Sequence, residues 1–573
     1  MSALMSSQPY VNFVKGTQPL HRSTIKIPNS PSQKRAGPQL SLPYSYTALS
    51  PPSFPSCSGP SIPIDCRSEG LSNAENHAHR WTGEKLTNRS CQSASFKFER
   101  HPATTTDQTR CHIGQVMSID MLPDDILLEI FDFFVQEAYH IEDWQTLVHV
   151  CRRWRSLVFR SPRRLNLRLL CTSKTPARDT LDVWPALPLF IQCSERAGSV
   201  DNIVAVLERS DRACDIHLIY LERSDLGKLS AAMQVSFPEL TDLRLLWIGE
   251  TVSVIPDSFL GGSAPRLEDL WLDGIPFPGL PKLLLSATNL VSLYLENIPH
   301  EGYISPDAMV TALSTLTCLG SLLLRFKSPQ SRPETARQRP PPSTRSVLLA
   351  LTRFHFKGVS EYLEMVMAEI DAPRLSKLDI TFFNQIVFDT PQFTRFISRA
   401  PMLKALESAR VTVTFDSDAA TVKLSLQTPG HKDELEVRIP CRELDWQVSS
   451  MEQVCASCLP PLPTLEDLYI YEDPLWRCNW QGNIENALWL ELLHPFASVK
   501  NIYLSSGIAR CIVPALQELV GARATEVLPT IQHVFLEELQ PSGPVQEGIQ
   551  QVVAVRQAAG HPIAVSYGQK VRY

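Results

Sequence analysis

Along residues 121–134, MLPDDILLEIFDFF, the apolar side chains Ile126, Leu127, Ile130, Phe131 and Phe134 recur at spacings of three and four, which predicts an amphipathic helix with one apolar stripe. Pro123 suits the first helical position, and Asp124 and Asp125 place negative charge on the positive end of the helix dipole. A second stretch, DWQTLVHVCRRWRSLVF, repeats the pattern through Leu147, Val150, Cys151, Trp154 and Leu157 or Val158, with Asp143 as its N-cap. Two such helices bury a marginal core and need the rest of the chain or a partner. Residues 1–117, rich in Ser, Pro, Thr and Gln, show neither helical nor strand period. They are expected to be disordered, because they bury too little apolar surface to offset the entropy of ordering.

From about residue 210 a different pattern takes over. The unit L-x-x-L-x-L, with other apolar residues admitted, appears at Leu240, Leu243, Leu245; at Leu267, Leu270, Leu272; at Leu290, Leu293, Leu295; and at Leu319, Leu322, Leu324. Looser copies start at Ile216, Leu351, Leu375, Leu465, Val499 and Ile531. Starts from 216 to 375 lie roughly 23 to 32 residues apart, the period of leucine-rich repeats with some stretching. Each short unit predicts a strand, and helix signals lie between: Ser305-Pro306-Asp307 before Met309, Leu313 and Leu316, and Thr390-Pro391 before Phe393, Phe396 and Ile397. A strand and a helix per repeat, stacked, give an α/β solenoid with a parallel inner sheet and outer helices. Ile275 and Ile298 stand where such repeats commonly carry a buried Asn, so the repeats are divergent.

The expected organisation is a disordered segment at 1–117, a short helical domain at 118–164, a solenoid over 165–567 and a tail at 568–573. Two stretches interrupt the solenoid. Residues 325–345, proline-rich and basic, predict a mobile loop. Residues 403–460 contain VTVTF, TVKLSL and LEVRI, which alternate like antiparallel strands. The stretch from Val545 to Ala559, stopped by Gly560 and followed by a strand at Ile563–Val565, predicts a terminal cap.

Composition narrows the function. The formal charge of -6 is spread over both signs, which does not favour nucleic acid or an anionic membrane as partner. No run approaches the roughly 20 apolar residues that span a bilayer. The N-terminus lacks the layout of a signal peptide, and the fourteen cysteines are scattered apart from Cys455 and Cys458. A soluble chain in a reducing compartment, cytoplasmic or nuclear, is expected. The Cys455-x-x-Cys458 pair lacks a second pair to complete a zinc site, so buried thiols are expected and no metal or cofactor is assigned. The arginine run Arg152, Arg153, Arg155, Arg160, Arg163, Arg164 and Arg168 reads as a solvated face or contacts to an acidic partner. Phosphate-binding glycine loops, G-x-S-x-G elbows and paired metal-binding His are missing from the sequence, which argues against catalysis.

Leu122-Pro123, the acidic pair, Ile126, Ile130 and Phe131, then Val150-Cys151-Arg152-Arg153-Trp154 and Leu157, resemble the F-box over about 45 residues, 119 to 162. With its repeats the chain resembles F-box leucine-rich-repeat proteins, and looks especially like the expanded F-box families of mushroom-forming fungi. The resemblance implies a substrate receptor of an SCF-type cullin-RING ubiquitin ligase, docking a Skp-type adaptor through its F-box. Leu122, Pro123, Ile126, Ile130, Val150 and Trp154 are the implied adaptor contacts, with Leu122 and Pro123 closest; Trp154 and Cys151 could instead serve packing within the motif. A protein-interaction scaffold without ligase output is the other class the sequence allows.

Four residues past each repeat start stands a position expected on the concave sheet, and there Tyr220, Trp271, Tyr294, Tyr469, Tyr503 and Phe535 occur. Aromatics are 8% of the chain, so six among ten such positions is an excess. Either cross-strand packing or a target-binding row explains it. Charged neighbours Asp269, Asp273, Glu296, Arg325 and Arg353 would tune the partner.

Overall fold

The computed structural model describes residues 119–137, 141–174, 176–193, 200–221, 223–247, 254–329, 344–383, 388, 390–404, 410–428, 431–459, 464–472, 484–537 and 543–568, all within one compact unit. The 1–117 segment, most of the 325–345 loop and the tail beyond 568 lie outside them.

Three helices open the described chain: α1 (Asp124–Glu137), α2 (Gln145–Val150) and α3 (Arg152–Arg160). The continuous second helix expected from the sequence is two, because Cys151 is extended at φ -154° and ψ 171°. Its Sγ accepts a hydrogen bond from the Trp154 amide at 3.5 Å, so Cys151 caps α3 in the manner of a serine. Leu127 and Phe131 of α1, Leu147 and Val148 of α2, and Leu157 and Val158 of α3 are buried together.

Among the described residues, sixteen strands form one sheet. From Leu169–Thr172 to Lys377–Phe382 each sheet strand pairs in parallel with the next along the chain, and helices such as Pro306–Leu313, Ser360–Glu369 and Pro391–Arg399 return the chain between strands and pack on one another. This is a leucine-rich-repeat-like fold. The reason is visible in the register. Leu243, Leu270, Leu293, Leu322, Phe354 and Leu378 stand side by side, each almost fully buried against the helix layer, and Leu245, Leu272, Leu295, Leu324, Phe356 and Ile380 form a second column. Every such side chain contributes about 2 kcal/mol of apolar burial, realised only when a neighbouring repeat covers it.

The repeat starting at Ile216 is placed differently from the sequence expectation. Ile216 pairs with Leu243 and Leu218 with Leu245, so the copy begins three residues earlier, at Ala213. Within 403–460 the strands Arg410–Phe415, Ala419–Thr428 and His431–Pro440 enter the sheet in reversed order, antiparallel to one another and parallel to the repeats on either side. Their register keeps both apolar columns: Leu435, Leu424 and Val411 continue from Leu378 to Leu468. An insertion whose middle strand runs opposite to its neighbours therefore leaves the apolar columns unbroken.

Local caps hold the repeats in step. Ser305 Oγ accepts from the Ala308 amide at 3.3 Å, as its Ser-Pro signal implies. Thr390 makes no such cap; the Glu364 carboxylate, one helix back, accepts from the amides of Gln392 and Phe393 at 2.8 and 2.7 Å instead. At the C-terminal end helix Pro544–Ala558 and strand Ala564–Gly568 close the stack. Arg556, 4% exposed, donates there to the carbonyls of Val527 and Leu528 at 2.6 and 3.2 Å.

Candidate functional site

The stripe on α1 divides when folded. Leu127, Leu128 and Phe131 turn inward, while Ile126, Ile130, Phe133 and Phe134 stay exposed, joined by Ile119, Met121 and, from the end of α2, Val150. Phe133 is 68% exposed, Met121 71% and Val150 59%. So dense a set of large apolar side chains left in water on about thirty residues marks a surface meant to be covered. Of the implied contacts, Pro123, Ile126, Ile130 and Val150 lie exposed and Leu122 is half-buried. Trp154 is half-buried and packs on Phe131 with ring centroids 4.7 Å apart, which makes it a wall between the helices. Phe133, three residues past Ile130 and seven past Ile126, lies on that same exposed face although the stripe read from the sequence left it out; Met121 precedes the helix and belongs to no stripe.

Arg152, Arg155, Arg160, Arg163 and Arg164 are exposed and Arg153 and Arg168 half-buried, so the run is a largely solvated face, part of which also bonds within the chain. Arg153 binds the Asp124 carboxylate, with Nε 3.1 Å from Oδ1, and donates to the Leu122 carbonyl at 2.6 Å; Arg155 donates to the Val148 carbonyl at 2.8 Å. Arg164 pairs with Glu129, and Arg168 with the buried Asp215 of the strand Ala213–Leu221. Trp144, 1% exposed, donates through Nε1 to the Arg168 carbonyl at 3.0 Å and packs edge-on against Trp184 at 5.3 Å. The helical domain is thus welded to the first repeats, so whatever covers its exposed face is held in a fixed relation to the sheet.

On the sheet face turned away from the helices, register aligns one row strand by strand. It runs His217, Arg244, Trp271, Tyr294, Leu323, His355, Asp379, Glu436, Lys423, Thr412, Tyr469, Tyr503, Phe535, Ser566. Five of the six expected aromatics fall in this row. Tyr220 does not, because the earlier start of its repeat gives the place to His217; its side chain lies outside the described residues.

The five form two groups. Trp271 and Tyr294 touch at 6.0 Å, tilted by 45°. Tyr469, Tyr503 and Phe535 stack face to face, at 4.1 Å and 8°, then 4.4 Å and 6°, with the Arg410 guanidinium 4.5 Å over the outer face of Tyr469. Cross-strand packing is therefore part of what these rings do. Tyr469 is only 3% exposed, and Tyr503 and Phe535 carry the ladder's accessible surface. Seven strand spacings separate the groups, roughly 34 Å at about 4.8 Å each, too far for one small epitope to span.

Between them the row is charged. His355 Nδ1 lies 3.1 Å from Asp379 Oδ2. Burial alone would raise the Asp379 carboxyl, but the His355 hydrogen bond and the charges of His355, Arg325 and Lys377 outweigh it and hold it below its usual value. Glu436 beside it is pushed up by burial and by Asp379. Lys423 pairs with Glu434 and lies 3.5 Å from Glu436.

The Cys455 and Cys458 thiols are buried, and burial raises both, Cys458 to about 12, despite a Thr390 hydroxyl 3.1 Å from its Sγ. Both side chains pack within the core. Among the described residues no group of three or more His, Cys, Asp or Glu could hold a metal ion, and no helix is long and apolar enough to cross a membrane.

Residues 119–168 match the F-box-like family model. No curated protein matches the chain. Among solved structures, the leucine-rich repeat-containing protein LegL7 from Legionella pneumophila aligns over 67% of this chain and 96% of its own at 13% identity, with a TM-score of 0.22. The chain joins an F-box-like domain to a leucine-rich-repeat-like fold, a combination suited to recognition of other proteins.

Proposed function

We propose that this protein is the substrate-recognition subunit of an SCF-type cullin-RING E3 ubiquitin ligase, working in the cytoplasm or nucleus. The F-box-like face docks a Skp-type adaptor, and the open sheet face binds a target protein. The observation that carries this reading is the exposed set Ile119, Met121, Ile126, Ile130, Phe133, Phe134 and Val150, on a domain otherwise well packed. Its chemistry is that of an apolar helix face laid in a partner's groove. The chain itself performs no bond-making step. Holding the adaptor at one end and the target on the sheet raises the target's effective concentration beside the ubiquitin-charged enzyme, and the weld through Trp144, Trp184 and Arg168 keeps that geometry rigid.

Affinity purification of the wild-type chain and of a Leu122→Ala, Pro123→Ala variant, read by mass spectrometry, tests this. The adaptor and a cullin should accompany the wild type and vanish from the variant, while target proteins persist in both. Adaptor without cullin would instead identify a scaffold without ligase output.

A further inference from the structure

One row over from the aromatics, towards the C-terminal ends of the strands, register places Arg325, Lys357, Thr381 and Arg438 on four adjacent strands. Each arginine has a carboxylate: Arg325 Nη1 lies 3.1 Å from Glu296 Oε1, and Arg438 Nη2 lies 3.2 Å from Asp416 Oδ2. Lys357 has none among the described residues. Its half-buried ammonium lies 5.6 Å from the ring of Phe383. Burial, then Arg325, push its pKa down, and Arg438 adds to this, with Glu296 pulling the other way. An ammonium held between two guanidiniums, partly out of water and with the nearby Glu296 already paired to Arg325, keeps a cost that an incoming anion would remove.

We propose that this row takes a carboxylate of the bound protein, an Asp or Glu side chain seated over Lys357, so that the targets of this face carry an acidic residue in the segment that crosses it. The inference rests on the open face being the target-binding face. Three features select this occupant. The row lies on an open sheet surface, which suits a polypeptide segment. One unpaired ammonium matches one carboxylate. The same face carries Asp273, Glu296, Asp379 and Glu436, which would repel the evenly charged backbone of a nucleic acid while leaving room for a single acid in a mixed sequence. Phe383 beside Lys357 gives the stem of that acid an apolar surface.

The test is selection of random displayed dodecapeptides on the full chain, on Lys357→Gln and on Lys357→Arg, after thermal melts confirm that all three are folded. Wild type and Lys357→Arg should enrich Asp and Glu, and Lys357→Gln should not. Synthetic peptides from the wild-type selection should bind Lys357→Gln about 30-fold more weakly, and their Glu→Gln isosteres should lose a similar factor on the wild type. Selection without acidic enrichment, or equal enrichment on Lys357→Gln, overturns the proposal; so does a phosphoserine version that binds where the Glu version does not. Adaptor binding is measured on the same preparations. Its loss with acidic selection intact would remove the ligase reading and leave this one standing.

Discussion

Changing Ile126 and Ile130 together to glutamate should weaken the affinity of the chain for a purified Skp-type adaptor by at least about 1000-fold, with little change in melting temperature. Both residues are exposed, at 47% and 41%, so in the free chain new carboxylates meet water. In a complex they would be driven into an apolar groove, and a buried unpaired charge is among the costliest substitutions an interface can suffer. Their neighbours should behave in the opposite way. Phe131 is fully buried against Trp154, and Phe131→Ala should destabilise the helical domain by about 3–4 kcal/mol. Calorimetric titration and thermal melts separate the two effects. An adaptor that binds the double-glutamate variant as tightly as the wild type would show that this face is not its docking site.

Replacing Trp271 and Tyr294 by alanine should reduce capture of target proteins by more than about 100-fold and leave adaptor binding unchanged. Truncation removes two half-exposed rings that support each other at 6.0 Å, and such rings commonly dominate an interface. Tyr503→Ala is the companion experiment, because Tyr503 lies at the centre of a stack. Its loss breaks two ring pairs at once, each worth about 0.5–1.5 kcal/mol, and should lower the melting temperature as well as capture. Since the groups are far apart, a compact target should depend on one of them and a long one on both. Quantitative pull-down of the proteins that persist when the adaptor face is disabled gives the comparison. A lower melting temperature with undiminished capture would reduce the ladder to packing.

The repeats were legible because their apolar columns recur with the period of the fold, and burial of each column depends on its neighbours. Where the period was ambiguous, the sequence misled. Around Ile216 the segment ACDIHLIYL offers apolar residues in two registers three apart, and only pairing with Leu243 and Leu245 decides between them, which moves Tyr220 out of the row. The break at Cys151 was hidden for a similar reason, since helical spacing continues on both sides and the thiol cap depends on backbone angles. Which apolar residues of α1 face out depends on α2, α3 and Trp154, so the stripe could be seen but its division could not. The continuity of the open face through the inserted strands, and with it the adjacency of Arg325, Lys357 and Arg438, depends on pairings between residues 24 to 57 positions apart and lies beyond local pattern.

On the proposed function, the helical end of the chain holds the ligase and its sheet holds the target. Hydrogen exchange of the full chain, alone and with a purified Skp-type adaptor, tests that division most directly. Protection should appear in the helices between residues 119 and 160 and leave the strands bearing Trp271, Tyr294, Lys357 and Tyr503 unchanged. Protection on those strands, or none between 119 and 160, would contradict it.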